Sequence, residues 1–352
     1  MNIDISIIIP TLNEKENINE LVKRIRESLN DIKYEIIFVD DGSNDGTIEE
    51  IEKLKEKYKN IKIVERGYRK GLSSAFIDGV KHSNGKYIVL MDADLQHPPE
   101  LLKKMYEKAL EGYDLVIASR YIKGGKIDNW NIIREFISKT AIFIAYIFLP
   151  ETLKVKDPLS GYFLIKRDLL NNFKVSDPFS YKVLLDILVK VNYNKLIEIP
   201  YTFKERKHGK SKLGKRIIFS YLKQVFLLFD IFQFIKFYLV GLSGIVINLL
   251  SLYLLIFYFP FYISSFLAIL ISIIWNFILN DLFVFKIKKR KLLERFLLFF
   301  GGRGLLSKPV QYLSALLFYY IFGINYLISQ LIAIFIAAII NWVFTKGIVY
   351  GK

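Results

Sequence analysis

The feature that most limits how this chain can fold is the length of its C-terminal apolar runs. From Phe234 to Ile348 the sequence is dominated by Phe, Ile, Leu and Tyr, with charge confined to short patches. Four stretches, at about 237–258, 261–283, 304–322 and 325–345, approach the ~20 residues a helix needs to cross a hydrocarbon core. The chain is therefore expected to end in an all-α transmembrane domain, 229–352, of four helices in two hairpins. The links Phe259–Pro260 and Gly323–Ile324 are short and uncharged, whereas Lys286–Arg295 (KIKKRKLLER) is strongly basic. Because Lys and Arg accumulate in cytoplasmic links, the basic link, both termini and everything N-terminal to the spans are expected in the cytoplasm. Arg303 and Lys308 fall at the cytoplasmic end of the third span, where snorkelling and a lipid-phosphate contact account for them equally well.

Residues 1–228 differ in character, with charges throughout and clear turn signals. The formal net charge of +16 suits nucleic acid or an anionic membrane surface. The apolar spans, and the lack of any nucleic-acid-binding motif, favour the membrane. No cysteine is present, which excludes disulfides, thiol catalysis and thiolate metal sites. Met1 to Pro10 carries Asp4 and no basic flank, so no secretory leader is expected. Ile132–Leu149 is very apolar yet contains Arg134, Ser138 and Lys139. Ile217–Phe234 has the same character, with Lys223, Gln224 and Asp230 along it. Interior charges make both poor spans and suit helices lying in the membrane interface, near 131–149 and 216–234.

The remaining periodicity alternates strand and helix. Ile5–Ile9, Glu35–Val39, Ile61–Val64, Tyr87–Met91 and Leu115–Ser119 read as short buried strands. Helices are expected over Asn13–Leu29, over Asp45–Tyr58 with Asp45 as N-cap, over Ser73–Val80, and after Pro98–Pro99. Such alternation predicts an α/β, Rossmann-like domain with a mostly parallel sheet. Ligands of these sheets sit beyond the carboxyl ends of the strands, where Pro10–Glu14, Asp40–Gly46 and Asp92–His97 fall.

Asp92-Ala93-Asp94 follows the strand YIVLM within VLMDADLQHPPE. Two carboxylates so placed can meet a divalent cation and a diphosphate, with Gln96 as another oxygen donor. A lone DxD is more often an ordinary loop, and the buried strand before it is what favours the site. Carboxylates at the ends of the first two strands can accept hydrogen bonds from a base or from ribose hydroxyls. Asp41-Gly42-Ser43 taken alone fits a plain turn as well.

Together PTLNE, VDDGSNDGT and MDADLQHPPE, in this order and spacing over roughly the first 210 residues, resemble the inverting family-2 glycosyltransferases of GT-A fold. DADLQHPPE, DPLSGYFLIKRDLL and FKERKHGKSKLG are similar to the dolichol-phosphate mannose synthase branch of that family. The resemblance implies transfer of mannose from GDP-mannose to dolichyl or polyprenyl phosphate with inversion, using Mg²⁺ or Mn²⁺. Carried onto this sequence, Pro10, Leu12, Glu14, Val39 and Asp41 would bind the nucleoside. Asp92, Ala93 and Asp94 would hold the nucleotide and metal, with Asp94 and Gln96 as metal ligands. Arg206 and Lys212 would contact the donor phosphates. Arg120 would hold the acceptor phosphate with Arg134 and Ser138, which share a helical face and suit an anionic headgroup. Asp92, Asp94 and Arg120 would be the catalytic residues.

Family members acting on hydroxyl acceptors generally carry an ED pair as base. DPFSYKVLLDIL in the corresponding region has none. A phosphate monoester, with its second pKa near ~6, needs no such base. Two rivals stay open at this point. One is a polyprenyl-phosphate glucosyltransferase using UDP-glucose. The other is a transporter of lipid-linked sugars, in which the GtrA-like membrane half is the working part and the N-terminal half a sugar-binding head. A processive polysaccharide synthase is disfavoured, because QxxRW is missing.

Overall fold

The computed structural model describes residues 3–68, 70–128, 132–204, 215–255, 257–259, 261–284, 291–301 and scattered positions from 310 to 343. The chain divides into two compact units, Met1–Ala145 with Lys154–Leu228, and Tyr146–Leu153 with Phe229–Lys352.

The first unit runs β1 (Ile5–Thr11), α1 (Lys15–Ser28), β2 (Tyr34–Asp40), α2 (Thr47–Lys57), β3 (Ile61–Glu65), α3 (Leu72–His82), β4 (Tyr87–Leu90), α4 (Leu101–Leu110) and β5 (Leu115–Ser119). It continues through β6 (Lys126–Ile127), α5 (Ile132–Phe148, of which the part up to Ala145 belongs to this unit), β7 (Phe163–Lys166), α6 (Val183–Lys190), β8 (Leu196–Pro200), β9 (Thr202–Phe203) and α7 (Lys215–Leu228). A seven-stranded sheet has the order β3-β2-β1-β4-β7-β5-β8, and β6 pairs with β9 separately. β1 pairs in parallel with β2 and β4, and β5 with β8. β7 lies antiparallel to both β4 and β5. The strand–helix alternation of the sequence carries no sign of β7, because a four-residue apolar strand contains no period that reports direction.

Side chains of a strand alternate between faces, and β1 shows the consequence. Ile5, Ile7 and Ile9 enter one core, with Leu21 and Ile25 of α1 and Met105 of α4. Ile8 enters the other, with Phe76 of α3 and Leu184 and Ile187 of α6. Both faces are covered, so β1 reads as a nearly unbroken β-branched run. Its exception, Ser6, is satisfied where it is buried: Oγ donates to Glu35 at 2.6 Å and accepts from Gly85 N at 2.8 Å.

Helix ends depart from the sequence reading in two places. α2 begins at Thr47 after Gly46, whose φ is +91°. Asp45 is not the N-cap; its Oδ1 accepts the Thr47 N–H at 3.0 Å from one position further back. The apolar segment 217–234 is not one helix. α7 stops at Leu228, and Asp230 Oδ1 accepts the Gln233 N–H at 2.9 Å, so this carboxylate caps a new start.

The second unit contains α8 (Ile231–Leu255), α9 (Phe261–Leu279), a π-helical turn at Asn280–Val284 and α10 (Leu292–Gly301). Val240, Val284 and Trp342 form its buried centre, and Arg295 pairs with Asp281. Gly244 lets α8 approach α9, since a Cβ there would collide with the Asn276 amide. Among the described residues no single helix is long and apolar enough to cross a membrane, while Ile217–Leu228 and Ile231–Ile247 reach that length together across a short break. The expected spans at 304–322 and 325–345, with Arg303 and Lys308, lie largely outside the described residues.

Candidate active site

A cavity of about 590 Å³ opens at the carboxyl ends of β1, β2 and β4. Its rim is built by loops that lace across one another. The Asn13 N–H donates to Ser43 Oγ at 2.9 Å, the Asn44 N–H to Asn13 Oδ1 at 3.0 Å, and the Glu14 N–H to Thr47 Oγ1 at 3.0 Å. Asn13 sits at φ +58° and Leu95 at φ +63°. Side chains rarely adopt this conformation, and here two of them do so beside one cavity. Fully buried Asp40 organises the second loop, accepting from Gly42 N, Ser43 N, Ser43 Oγ and Thr11 Oγ1.

Pro10, Leu12, Glu14, Asp41, Asp92, Ala93, Asp94, Gln96, Arg120, Arg134 and Ser138 all line this cavity. Val39 does not: its side chain is wholly buried in the core with Ile8 and Ile37. Arg206 and Lys212 lie outside the described residues. Asp41 is braced from behind. Its Oδ1 accepts from buried Arg66 at 2.6 Å and its Oδ2 from Gly71 N at 3.0 Å. Gly71 in turn must be glycine, because φ is +96° and a Cβ would lie 2.5 Å from the Pro178 carbonyl oxygen.

The DAD loop presents oxygen. Asp94 is buried and its Oδ1 accepts the Gln96 N–H at 3.1 Å. Gln96 gives its amide nitrogen to the Lys204 carbonyl at 2.9 Å, which leaves the amide oxygen as the end suited to a cation. Among the described residues no three acidic or histidine side chains converge. A cation here would draw on Asp94, Gln96 and the diphosphate of a nucleotide, and that all-oxygen set suits Mg²⁺ or Mn²⁺. His97 belongs to the frame of the loop. Its Nδ1 accepts the Asp92 N–H at 3.0 Å, and its ring stacks on Tyr162 with centroids 5.0 Å apart. Burial first, then the charges of Arg120 and Lys182, push its pKa down to about 4, so the ring is neutral.

The opposite wall is cationic. Arg120, just past β5, is buried and forks onto Asp157, with Nε to Oδ2 and Nη2 to Oδ1 both at 2.7 Å. The Arg120 N–H donates to the same carboxylate at 3.0 Å. Asp157 itself receives no solvent. Burial alone would lower the pKa of Arg120; the Asp157 charge overrides it and raises the value. Ser138 Oγ accepts from Tyr121 OH at 2.9 Å, which ties α5 to the loop after β5. Below these polar groups the wall becomes apolar, with Ile137, Ala141 and Ile144 of α5 and Ile218 and Leu222 of α7. The two helices are joined by Tyr221 OH donating to the Ala141 carbonyl at 2.5 Å. Their outer faces expose Ile132, Phe143, Phe219 and Phe226.

Asp157 and Lys182 are site residues that the sequence reading passed over. Both lay in segments of interest, DPLSGYF and DPFSYKVLLDIL, and neither segment says which polar residue turns inward. Lys182 sits in the cavity wall, where burial, ahead of the Arg120 charge, pulls its pKa down to about 8.

Residues 6–173 match the family described as "Glycosyl transferase family 2", and residues 236–350 match "GtrA/DPMS, transmembrane domain". The chain is 39% identical over 352 residues to a dolichol-phosphate mannosyltransferase of Pyrococcus furiosus, covering 99% of each. It is 38% identical to a dolichol-phosphate mannosyltransferase of Saccharomyces cerevisiae, covering 64% of this chain and 86% of the yeast protein. A glucosyl-3-phosphoglycerate synthase structure from Mycobacterium tuberculosis superposes with a TM-score of 0.50 at 20% identity, covering 63% of this chain and 80% of that one. That likeness concerns the fold alone.

Proposed function

Because the chain belongs to glycosyl transferase family 2 and carries a GtrA/DPMS transmembrane domain, we propose that it is a membrane glycosyltransferase moving mannose from GDP-mannose to a dolichyl or polyprenyl phosphate. The observation that carries this reading is one cavity with an oxygen-rich wall, a cationic wall and an apolar floor. A nucleotide diphosphate needs the first, a phosphate headgroup the second, and the start of a lipid chain the third.

In this scheme Glu14 and Asp41 meet the nucleoside, and Asp41 is held in place by Arg66 and Gly71. Asp92, Asp94 and Gln96 face the donor diphosphate. A divalent ion bound by Asp94 and Gln96 would supply positive charge for the departing diphosphate. Arg120, Arg134 and Ser138 gather the acceptor phosphate, and Arg206 and Lys212 would add cations on the donor side. The attacking oxygen is anionic already, so the site needs alignment and charge rather than a base. The phosphate oxygen forms a bond to the anomeric carbon as the bond to GDP breaks on the opposite face, and the sugar inverts.

The exposed apolar faces of α5 and α7 support their lying in the headgroup layer. The four-span, two-hairpin arrangement, with catalytic domain and termini cytoplasmic, rests on the apolar runs and the basic link 286–295. The deciding experiment incubates the full chain in detergent with dolichyl phosphate and either labelled GDP-mannose or labelled UDP-glucose. Label from GDP-mannose should enter the organic phase. Entry from UDP-glucose alone would replace the donor, and entry from neither would refute transfer.

A further inference from the structure

Lys182 occupies the stretch where hydroxyl-directed relatives would carry an acidic pair, and it contributes the opposite charge. Its amine lines the same cavity as Arg120, Arg134 and Ser138. Nζ donates to the Leu159 carbonyl at 2.9 Å, and among the described residues it meets no carboxylate at ion-pair distance. Its backbone is pinned as well, since Gln224 Nε2 of α7 donates to the Lys182 carbonyl at 2.9 Å and to Asp186 Oδ2 at 2.7 Å. The lysine is therefore aimed from both ends.

The charge balance of the wall gives this placement a meaning. Arg120 is forked onto Asp157, so that pair brings little net charge to an incoming dianion. A phosphate monoester entering this side meets the guanidinium groups of Arg120 and Arg134, and Lys182 adds a positive charge to the same cavity. An ammonium carries three donors, and the Leu159 carbonyl takes one, so two remain for a ligand. Lys182 feels the charges of Asp92 and Asp157 as well as those of Arg120 and Arg134, which locates it where the donor side meets the acceptor side.

We propose that Lys182 is an acceptor-phosphate ligand, a cation that binds the phosphate monoester of the lipid beside Arg134 and holds it against the anomeric carbon. This rests on the polyprenyl-phosphate reading above.

The test uses the full chain in detergent with GDP-mannose and dolichyl phosphate, comparing wild type, Lys182→Met and Lys182→Arg. K182M should raise KM for dolichyl phosphate by roughly 10-fold to 100-fold, the loss of one charge-assisted hydrogen bond, and leave KM for GDP-mannose nearly unchanged. Lysine is charged below its pKa and neutral above it, so wild-type KM for the acceptor should rise as pH passes about 8. K182R stays charged and should lose that alkaline rise, a change that a merely structural lysine would not produce. Lys182 feels the charges of Arg120, Asp92, Asp157 and Arg134 and shares the cavity with His97, Tyr181 and Tyr201; of these His97 is already neutral at such pH, and burial pushes Tyr201 upward. The lipid phosphate finishes ionising near ~6 and is dianionic throughout. An unchanged acceptor KM in K182M, or a shift in the donor KM instead, overturns the assignment while leaving the transferase reading intact. Should K182M fail to fold, an alkaline rise persisting in K182R overturns it equally. A wild type inactive with both donors removes the transferase reading and this assignment together.

Discussion

Replacing Asp157 by Asn should destabilise the catalytic unit far more than a typical polar substitution does. The Asp157 side chain is fully buried and that of Arg120 is 8% exposed. The carboxylate takes two guanidinium bonds at 2.7 Å and the Arg120 backbone N–H at 3.0 Å. Asparagine keeps the shape but replaces one accepting oxygen by a donor that faces the guanidinium, and it removes the charge that keeps Arg120 tolerable in the interior. Breaking such a buried pair from one side costs about 3–5 kcal/mol; allowing for the hydrogen bond asparagine retains, the lower end applies. At roughly 2–4 °C per kcal/mol for a domain of this size, Tm of the full chain in detergent should fall by about 6–12 °C. Removing the charge of both partners, as in Arg120→Met with Asp157→Asn, should recover part of that loss, because it removes the unpaired buried charge and leaves only the smaller cost of a buried amide. The double variant should stay inactive, since Arg120 is placed at the acceptor phosphate. A D157N melt within about 2 °C of wild type, or a double variant less stable than D157N, would refute the account of this wall.

Asp94→Ala should lower transfer by at least roughly 10²-fold even at saturating donor, and excess chelator should do the same to the wild type; full activity in both would remove the metal from the scheme. Gly71→Ala places a Cβ 2.5 Å from the Pro178 carbonyl oxygen at φ +96° and should cost about 1–3 kcal/mol, visible as a lower Tm and weaker nucleotide binding through the Gly71 N–H that braces Asp41. Glu35 is opposed by desolvation, yet hydrogen bonds from Lys62, Ser6 and Asn84 hold its pKa below the ordinary carboxylate value. A depressed carboxyl stabilises the fold above its unfolded pKa and loses that contribution as pH falls through the folded one. Thermal melts of Glu35→Gln should therefore start lower at neutral pH and decline less steeply below about pH 5, and parallel acid profiles would contradict this.

What could be read from the sequence was whatever depends on neighbours along the chain. The β-branched run Ile5–Ile9 announces a strand buried on both faces, although β1 continues through Pro10 to Thr11, and the acidic cluster after YIVLM falls at a strand end because an unpaired carboxylate is costly inside one; Glu35 is accommodated inside β2 by Ser6, Asn84 and Lys62. The apolar runs beyond Phe234 raise the expectation of a membrane domain through their length, and the match of residues 236–350 to a transmembrane family supports it. Only the tertiary structure could decide which distant charges share a low-dielectric space. Asp157 reaches Arg120 across 37 residues, because β7 enters the sheet between β4 and β5. Lys182 reaches the same cavity because α7 holds its backbone through Gln224. Pairing of this kind leaves no local period or propensity in the chain, since the energy of a buried charge depends on what surrounds it in space rather than on what precedes it in sequence.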